Sequence, residues 1–140
     1  MIEAQNNNIV VKNGTINELL LLSKDYAYAS YIKALTKMYP LMLYSLPNCL
    51  PCENAKLLLK THYSDIPFHY LDTALVKGWH EKMYLDLQRV TGSPWFPYIF
   101  TCGNYIGGSI DLFNLHLTGK LREKLNLCAQ KYNTADSMEE

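Results

Sequence analysis

Apolar residues along this chain come in short runs and in helical spacings, with turn-forming residues between them. Thr15-Ile-Asn-Glu18 ahead of Leu19 to Leu22 reads as a capping box and predicts a helix from about Ile16. Tyr31, Ile32, Leu35 and Met38 share one helical face. Tyr39-Pro40 ends that helix, because Pro disfavours the helical conformation in the residue before it. Leu41-Met-Leu-Tyr44 is a short apolar run between breakers, the pattern of a buried strand. Ser45-Leu-Pro-Asn48 is a turn. A helix then runs from about Cys49 to Tyr63, with Cys52, Ala55, Leu58, Leu59 and His62 along one side. Pro67 to Leu71 reads as a second strand. Val76, Trp79, Met83, Leu87 and Val90 recur every three or four positions and predict an amphipathic helix across that whole stretch. Thr91-Gly-Ser-Pro94 is a loop and Tyr98 to Thr101 a third strand. Cys102-Gly-Asn104 signals a hairpin turn, with Tyr105-Ile106 returning and Gly107-Gly108 ending the strand. Leu112 to Tyr132 is helical with a break at Gly119. Asn133 to Glu140 is polar and acidic and reads as a disordered tail.

The order is therefore β-α-β-α-β-β-α behind an N-terminal addition. A strand–helix–strand start followed by a hairpin implies an α/β fold: a four-stranded mixed sheet flanked by helices. The expected organisation is an extension over 1–28, helical from about 16, one domain over 29–132, and the tail over 133–140. No repeat and no second domain is visible.

Composition narrows the function classes. The 140 residues fit one domain, 49% hydrophobic and 19% charged. Lys and Arg together number 13, as do Asp and Glu, so the formal charge is zero. A general binder of nucleic acid or of an anionic membrane needs a basic surplus, so neither is expected as a partner. No apolar run approaches the roughly 18 residues that span a bilayer. The opening MIEAQNNN lacks the basic start of a signal peptide. These features predict a cytoplasmic protein, and nothing in them calls for a monomer to assemble further.

In that compartment, four cysteines point to catalysis or metal binding before structural disulfides. Cys49-Leu50-Pro51-Cys52 stands at a strand-to-helix junction. Free N–H groups and the macrodipole at a helix N-terminus stabilise an anion. A Cys49 thiolate is such an anion, which makes Cys49 the expected nucleophile. Cys52 lies one turn on and faces back toward it. Pro51 falls in the first turn, where its missing N–H costs nothing. The competing reading is half of a zinc site, which needs a second ligand pair. Cys102, Cys128, His62, His69, His80 and His116 offer none at a recognised spacing, so no metal is expected. Cys128 falls in line with Leu121 and Leu125 and reads as a core residue. Cys102 reads as a thiol in a hairpin turn, with no catalytic role.

Three segments together resemble the dithiol glutaredoxin family, whose fold is thioredoxin-like. Tyr44-Ser-Leu-Pro-Asn-Cys49-Leu-Pro-Cys52 resembles its first strand and active-site turn. Thr91-Gly-Ser-Pro-Trp-Phe-Pro97-Tyr-Ile-Phe100 resembles its Thr-Val-Pro loop and third strand. Ile106-Gly-Gly-Ser-Ile-Asp111-Leu112 resembles its Gly-Gly-x-x-Asp turn. The likeness covers about 29–131, and the active-site helix is also similar to that of small glutaredoxins of large DNA phages. The resemblance implies that Cys49 attacks and Cys52 resolves. It implies a cis Pro97 facing them, with the Phe96 backbone pairing with the cysteinyl part of glutathione. It implies that Gly108, Ser109, Ile110 and Asp111 hold the γ-glutamyl end. Glutathione would be the reducing co-substrate with no tightly bound cofactor, and disulfide-containing proteins such as ribonucleotide reductase the partners.

Each residue also has a plainer reading. Pro97 can be an ordinary trans proline, Asp111 only a helix cap, and Trp79 and Trp95 packing residues. The chain also departs from the family pattern. Leu46 stands where a Lys or Arg is usual, Pro51 where Tyr is usual, and Trp95 where Thr is usual. Lys77, Lys82 and Arg89 are candidates for the missing cation. Pro51 is the thioredoxin-type arrangement, which keeps open a thioredoxin-like reductant served by a thioredoxin reductase. A non-catalytic iron–sulfur-binding or adaptor module is the alternative of another class. Cluster-binding relatives usually carry one active-site Cys and a small neighbour, so Cys52 and Pro51 count against it.

Overall fold

The computed structural model describes residues 28–128. The expected extension over 1–28, apart from Tyr28, and the tail over 133–140 lie outside the described residues. The chain divides into two compact units, which among the described residues are 28–35 with 73–94, and 36–72 with 95–128.

The second unit holds the sheet. Its strands are β1 (Leu41–Ser45), β2 (Phe68–Asp72), β3 (Tyr98–Thr101) and β4 (Asn104–Gly107). Their order is β2-β1-β3-β4. β1 and β2 run parallel, connected through α2 (Leu50–His62), while β1–β3 and β3–β4 are antiparallel. The sheet is therefore mixed, as the order of elements predicts. Every residue of β1 and β3 is buried. Continuous apolar runs suit strands covered on both faces.

One face of the sheet, through Leu41, Leu43 and Ile99, joins a core with Ala55, Leu59 and Tyr63 of the α2 segment. The same core takes Leu112 from α4 (Ser109–Leu117) and Leu121 and Leu125 from α5, which is helical over 120–128. Gly119, at φ 80°, makes the break between these two helices. Polar contacts fasten the same elements together. Tyr63 Oη and His116 Nδ1 are 2.7 Å apart, and Arg122 donates to Asp65 at 2.7 Å and to the His62 carbonyl at 2.8 Å. Burial raises the Tyr63 pKa, and the Arg122 guanidinium opposes it.

The first unit contains the start of α1 (Ala29–Met38), a 3₁₀ turn (Thr73–Leu75) and α3 (Met83–Thr91). The amphipathic spacing from Val76 predicts one long helix, but α3 begins only at Met83. Gly78 takes φ 72°, and turns occupy the residues between it and Lys82. The glycine interrupts the helix while the apolar period runs on through it. Asp86 is buried in this unit, where it accepts from the Tyr28 N–H at 3.2 Å and from Arg89 at 3.0 Å. Burial raises its pKa above the ordinary carboxylate value, against the opposing pull of those donors. No helix among the described residues is long and apolar enough to cross a membrane.

Candidate active site

Strand register assembles the site at one end of the sheet. Tyr44 of β1 pairs with Tyr98 of β3, so the end of β1 lies beside the start of β3. Ile99 pairs with Gly107, which brings the end of β4 to the same place. Three chain segments therefore converge: the turn after β1 with its cysteines, Phe96–Pro97 before β3, and Gly107 to Asp111 after β4.

Asn48 adopts φ 55°, a left-handed conformation that Asn tolerates better than most residues, and swings the chain from β1 into α2. Cys49 is the N-cap of α2, and its Sγ accepts from the Cys52 N–H at 3.2 Å. A polar acceptor is the usual cap because it satisfies one of the helix's unpaired donors. Here the acceptor is the sulfur itself, so the donors that stabilise the helix also favour negative charge on Cys49. Cys49 and Cys52 form a disulfide with their Cα atoms 5.2 Å apart. Cys49 is half-buried and Cys52 fully buried, while Leu50 and Pro51 face solvent. Attack from outside can reach the first sulfur, and the second waits beneath it.

The Phe96–Pro97 bond is cis, as the resemblance implies. Pro97 is buried, and a Cβ added at Gly108 would lie 3.5 Å from the Pro97 carbonyl oxygen. The Gly-Gly turn thus sits directly against the residue before β3. Gly107 takes φ 119°, and a Cβ there would overlap the Asp111 carboxylate, so this position requires glycine. Asp111 Oδ2 accepts from the Gly108 N–H at 3.0 Å. Asp111 therefore does act as a cap for α4, and it remains exposed. Ser109 and Ile110 form the first turn of that helix. Among the described residues no group of three or more His, Cys, Asp or Glu is placed to hold a metal ion. Lys77, Lys82 and Arg89 all belong to the first unit, where Arg89 is paired with Asp86.

One reading of the remaining cysteines needs correction. Cys102 and Cys128 are not a lone turn thiol and a lone core residue: they form a second disulfide, with Cα atoms 5.8 Å apart. They stand 26 residues apart in the chain, so no short motif announces them. Their meeting depends on where α5 returns to the β3–β4 hairpin.

No family model matches the chain. Among curated proteins, glutaredoxin-2, mitochondrial, of Mus musculus is 30% identical over 91 residues, which is 64% of this chain and 56% of that protein. The Bos taurus protein of the same name is 29% identical over 98 residues, 69% and 60% of the two chains. The chain thus spans little more than half the length of these curated relatives. Among solved structures, a buckwheat glutaredoxin–glutathione complex superimposes with TM-score 0.69 at 22% identity, covering 75% of this chain and 93% of that one. Oxidized glutaredoxin 2 from Chlamydomonas reinhardtii gives TM-score 0.66 at 22% identity, covering 77% and 98%. The holo form of glutaredoxin C1 from Populus tremula x tremuloides gives TM-score 0.66 at 22% identity, covering 71% and 96%.

Proposed function

We propose that this chain, which resembles glutaredoxins in sequence and has their thioredoxin-like fold, is a glutathione-dependent dithiol–disulfide oxidoreductase. The observation that carries the reading is Cys49 capping α2 with its own sulfur, at the sheet end where Pro97 meets the Gly107-to-Asp111 turn.

The cycle follows from the two sulfurs. Cys49 thiolate attacks a substrate disulfide, and one substrate thiolate leaves. The mixed disulfide is then broken by the Cys52 thiolate, which releases the second substrate thiol and closes Cys49–Cys52. Two glutathione molecules reopen that bond, leaving as glutathione disulfide. The backbone of Phe96 would pair with the cysteinyl part of glutathione, a one-rung strand addition. The N–H groups of Ser109 and Ile110 at the start of α4 would take the γ-glutamyl carboxylate, and Asp111, held in place by the Gly108 N–H, would take its amino group. Ribonucleotide reductase is one protein substrate that the resemblance suggests. The cytosol, rich in glutathione, is its expected place of work.

A second reading has a specific feature behind it. Pro51 and the missing cation at Leu46 both favour a thioredoxin-like reductant. The electron source decides between the two. Turnover with glutathione and glutathione reductase supports the proposal, and turnover only with thioredoxin reductase overturns it. A fresh protein with visible iron–sulfur absorbance and no turnover would instead favour a cluster-binding module.

A further inference from the structure

Cys102 is the first residue of the two-residue turn between β3 and β4. It adopts φ 54° and its neighbour Gly103 φ 84°, the positive pair that a tight hairpin of this kind needs. Its N–H donates to the Pro40 carbonyl at 2.8 Å, and its Sγ lies 3.7 Å from the Lys124 carbonyl oxygen on α5. Cys128 is buried on the inward face of α5, in line with Leu121 and Leu125. Packing and backbone hydrogen bonds thus hold both residues in place, and their 5.8 Å Cα separation lies within the range a disulfide bridges without moving the chain.

We propose that Cys102 and Cys128 are a second redox couple, outside the catalytic cycle, that staples the C-terminal part of the domain when oxidised by a low-molecular-weight disulfide such as glutathione disulfide. Cys102 follows β3 whereas Pro97 precedes it, so rise along the strand puts them roughly 16 Å apart. Cys102 therefore cannot serve as a resolving thiol for Cys49. The step balances without any other reagent. Cys102, the less buried sulfur, attacks the small disulfide as a thiolate and expels one thiolate. Cys128 thiolate then attacks the Cys102 sulfur and expels the other. Two protein thiols are oxidised, one small disulfide is reduced to two thiols, and the two protons end on them.

The loop closed in this way contains β4, the Gly107-to-Asp111 turn and α4. A cross-link over such a loop restricts the unfolded chain more than a short one does. The closure of Cys49–Cys52 spans only three residues and gives little of this effect. In a strongly reducing pool the couple stays open, and an oxidising shift closes it, stiffening the segment that carries the turn.

The test uses the full chain with Cys49 and Cys52 both changed to Ser, equilibrated in glutathione buffers of graded poise. This variant isolates the second couple from the proposed catalytic one, so its result stands whether or not the protein turns over glutathione. Expected are two alkylatable thiols that disappear together, a monomeric product whose digest links the Cys102 peptide to the Cys128 peptide, and a Tm about 10 °C higher when oxidised. The Cys102→Ser change should remove that difference. Should the double variant fail to fold, the same peptide map and melts on wild type decide. Thiols that remain alkylatable, stable glutathione adducts on Cys102 or Cys128, a cross-link between two chains, or equal Tm values would each overturn the proposal.

Discussion

The two cysteine pairs have nearly equal Cα separations, 5.2 Å for Cys49–Cys52 and 5.8 Å for Cys102–Cys128, and each joins a half-buried cysteine to a buried one, yet their places in the fold differ. The first pair lies on one helical turn, with one sulfur half-exposed as an N-cap and the other fully buried. Opening it frees little chain, and a backbone N–H stands ready for the thiolate. The second joins a hairpin turn to a helix 26 residues away in sequence. The same bond is thus suited to exchange in one place and to restraint in the other. Location in the fold, more than sulfur chemistry, separates a reactive disulfide from a structural one.

The largest expected effect falls on the first pair. Cys52→Ser should abolish reduction of protein disulfides while retaining part of the activity toward a glutathione mixed disulfide, since the latter needs one thiol. Parallel assays on an oxidised protein and on a glutathionylated peptide check this; equal loss of both would remove the resolving role. Next is the turn that completes the site. Gly107→Ala forces a side chain into a positive-φ position and into the Asp111 carboxylate, at a cost of about 1–3 kcal/mol. Thermal melts should show the loss, and KM for the glutathionylated peptide should rise. A smaller effect belongs to Leu46→Lys. An exposed cation meeting a carboxylate contributes about 0.2–1 kcal/mol, so glutathione binding should tighten by several-fold at most. Unchanged affinity would show that another basic group already fills the role.

The smallest effect is a control in the other unit. Because burial raises the Asp86 pKa, the protonated form favours the fold. That contribution is complete below the unfolded carboxylate pKa of about 3.9 and is lost as pH rises through the higher folded value. Asp86→Asn should therefore match wild type in acid and equal or slightly exceed it near neutral pH. Melts at both ends of that window would show it, with the redox behaviour of both cysteine pairs unchanged.

What was legible in the chain follows the range of the interactions involved. The placement of Cys49, Pro51 and Cys52 at a helix start is legible locally, because a strand, a turn and a helix start are written in adjacent residues. The turn at Gly107-Gly108 was readable as a strand end, but the need for glycine at Gly107 rests on where Asp111 folds back. The stretch from Val76 shows a limit of periodicity: its apolar spacing continues through Gly78, where the backbone turns left-handed and the helix does not form. The Cys102–Cys128 pair was invisible for a different reason. Its partners meet only through the path of α5, which no local pattern encodes.

The central claim is that Cys49 carries turnover and Cys102 and Cys128 do not. The most direct test is the rate of glutathione-dependent reduction of a glutathionylated peptide by wild type, Cys49→Ser and the Cys102→Ser/Cys128→Ser double variant, all assayed well below their melting temperatures. The account predicts the uncatalysed rate for Cys49→Ser and near wild-type turnover for the double variant. Turnover that survives in Cys49→Ser, or that vanishes in the double variant while it remains folded, would contradict it.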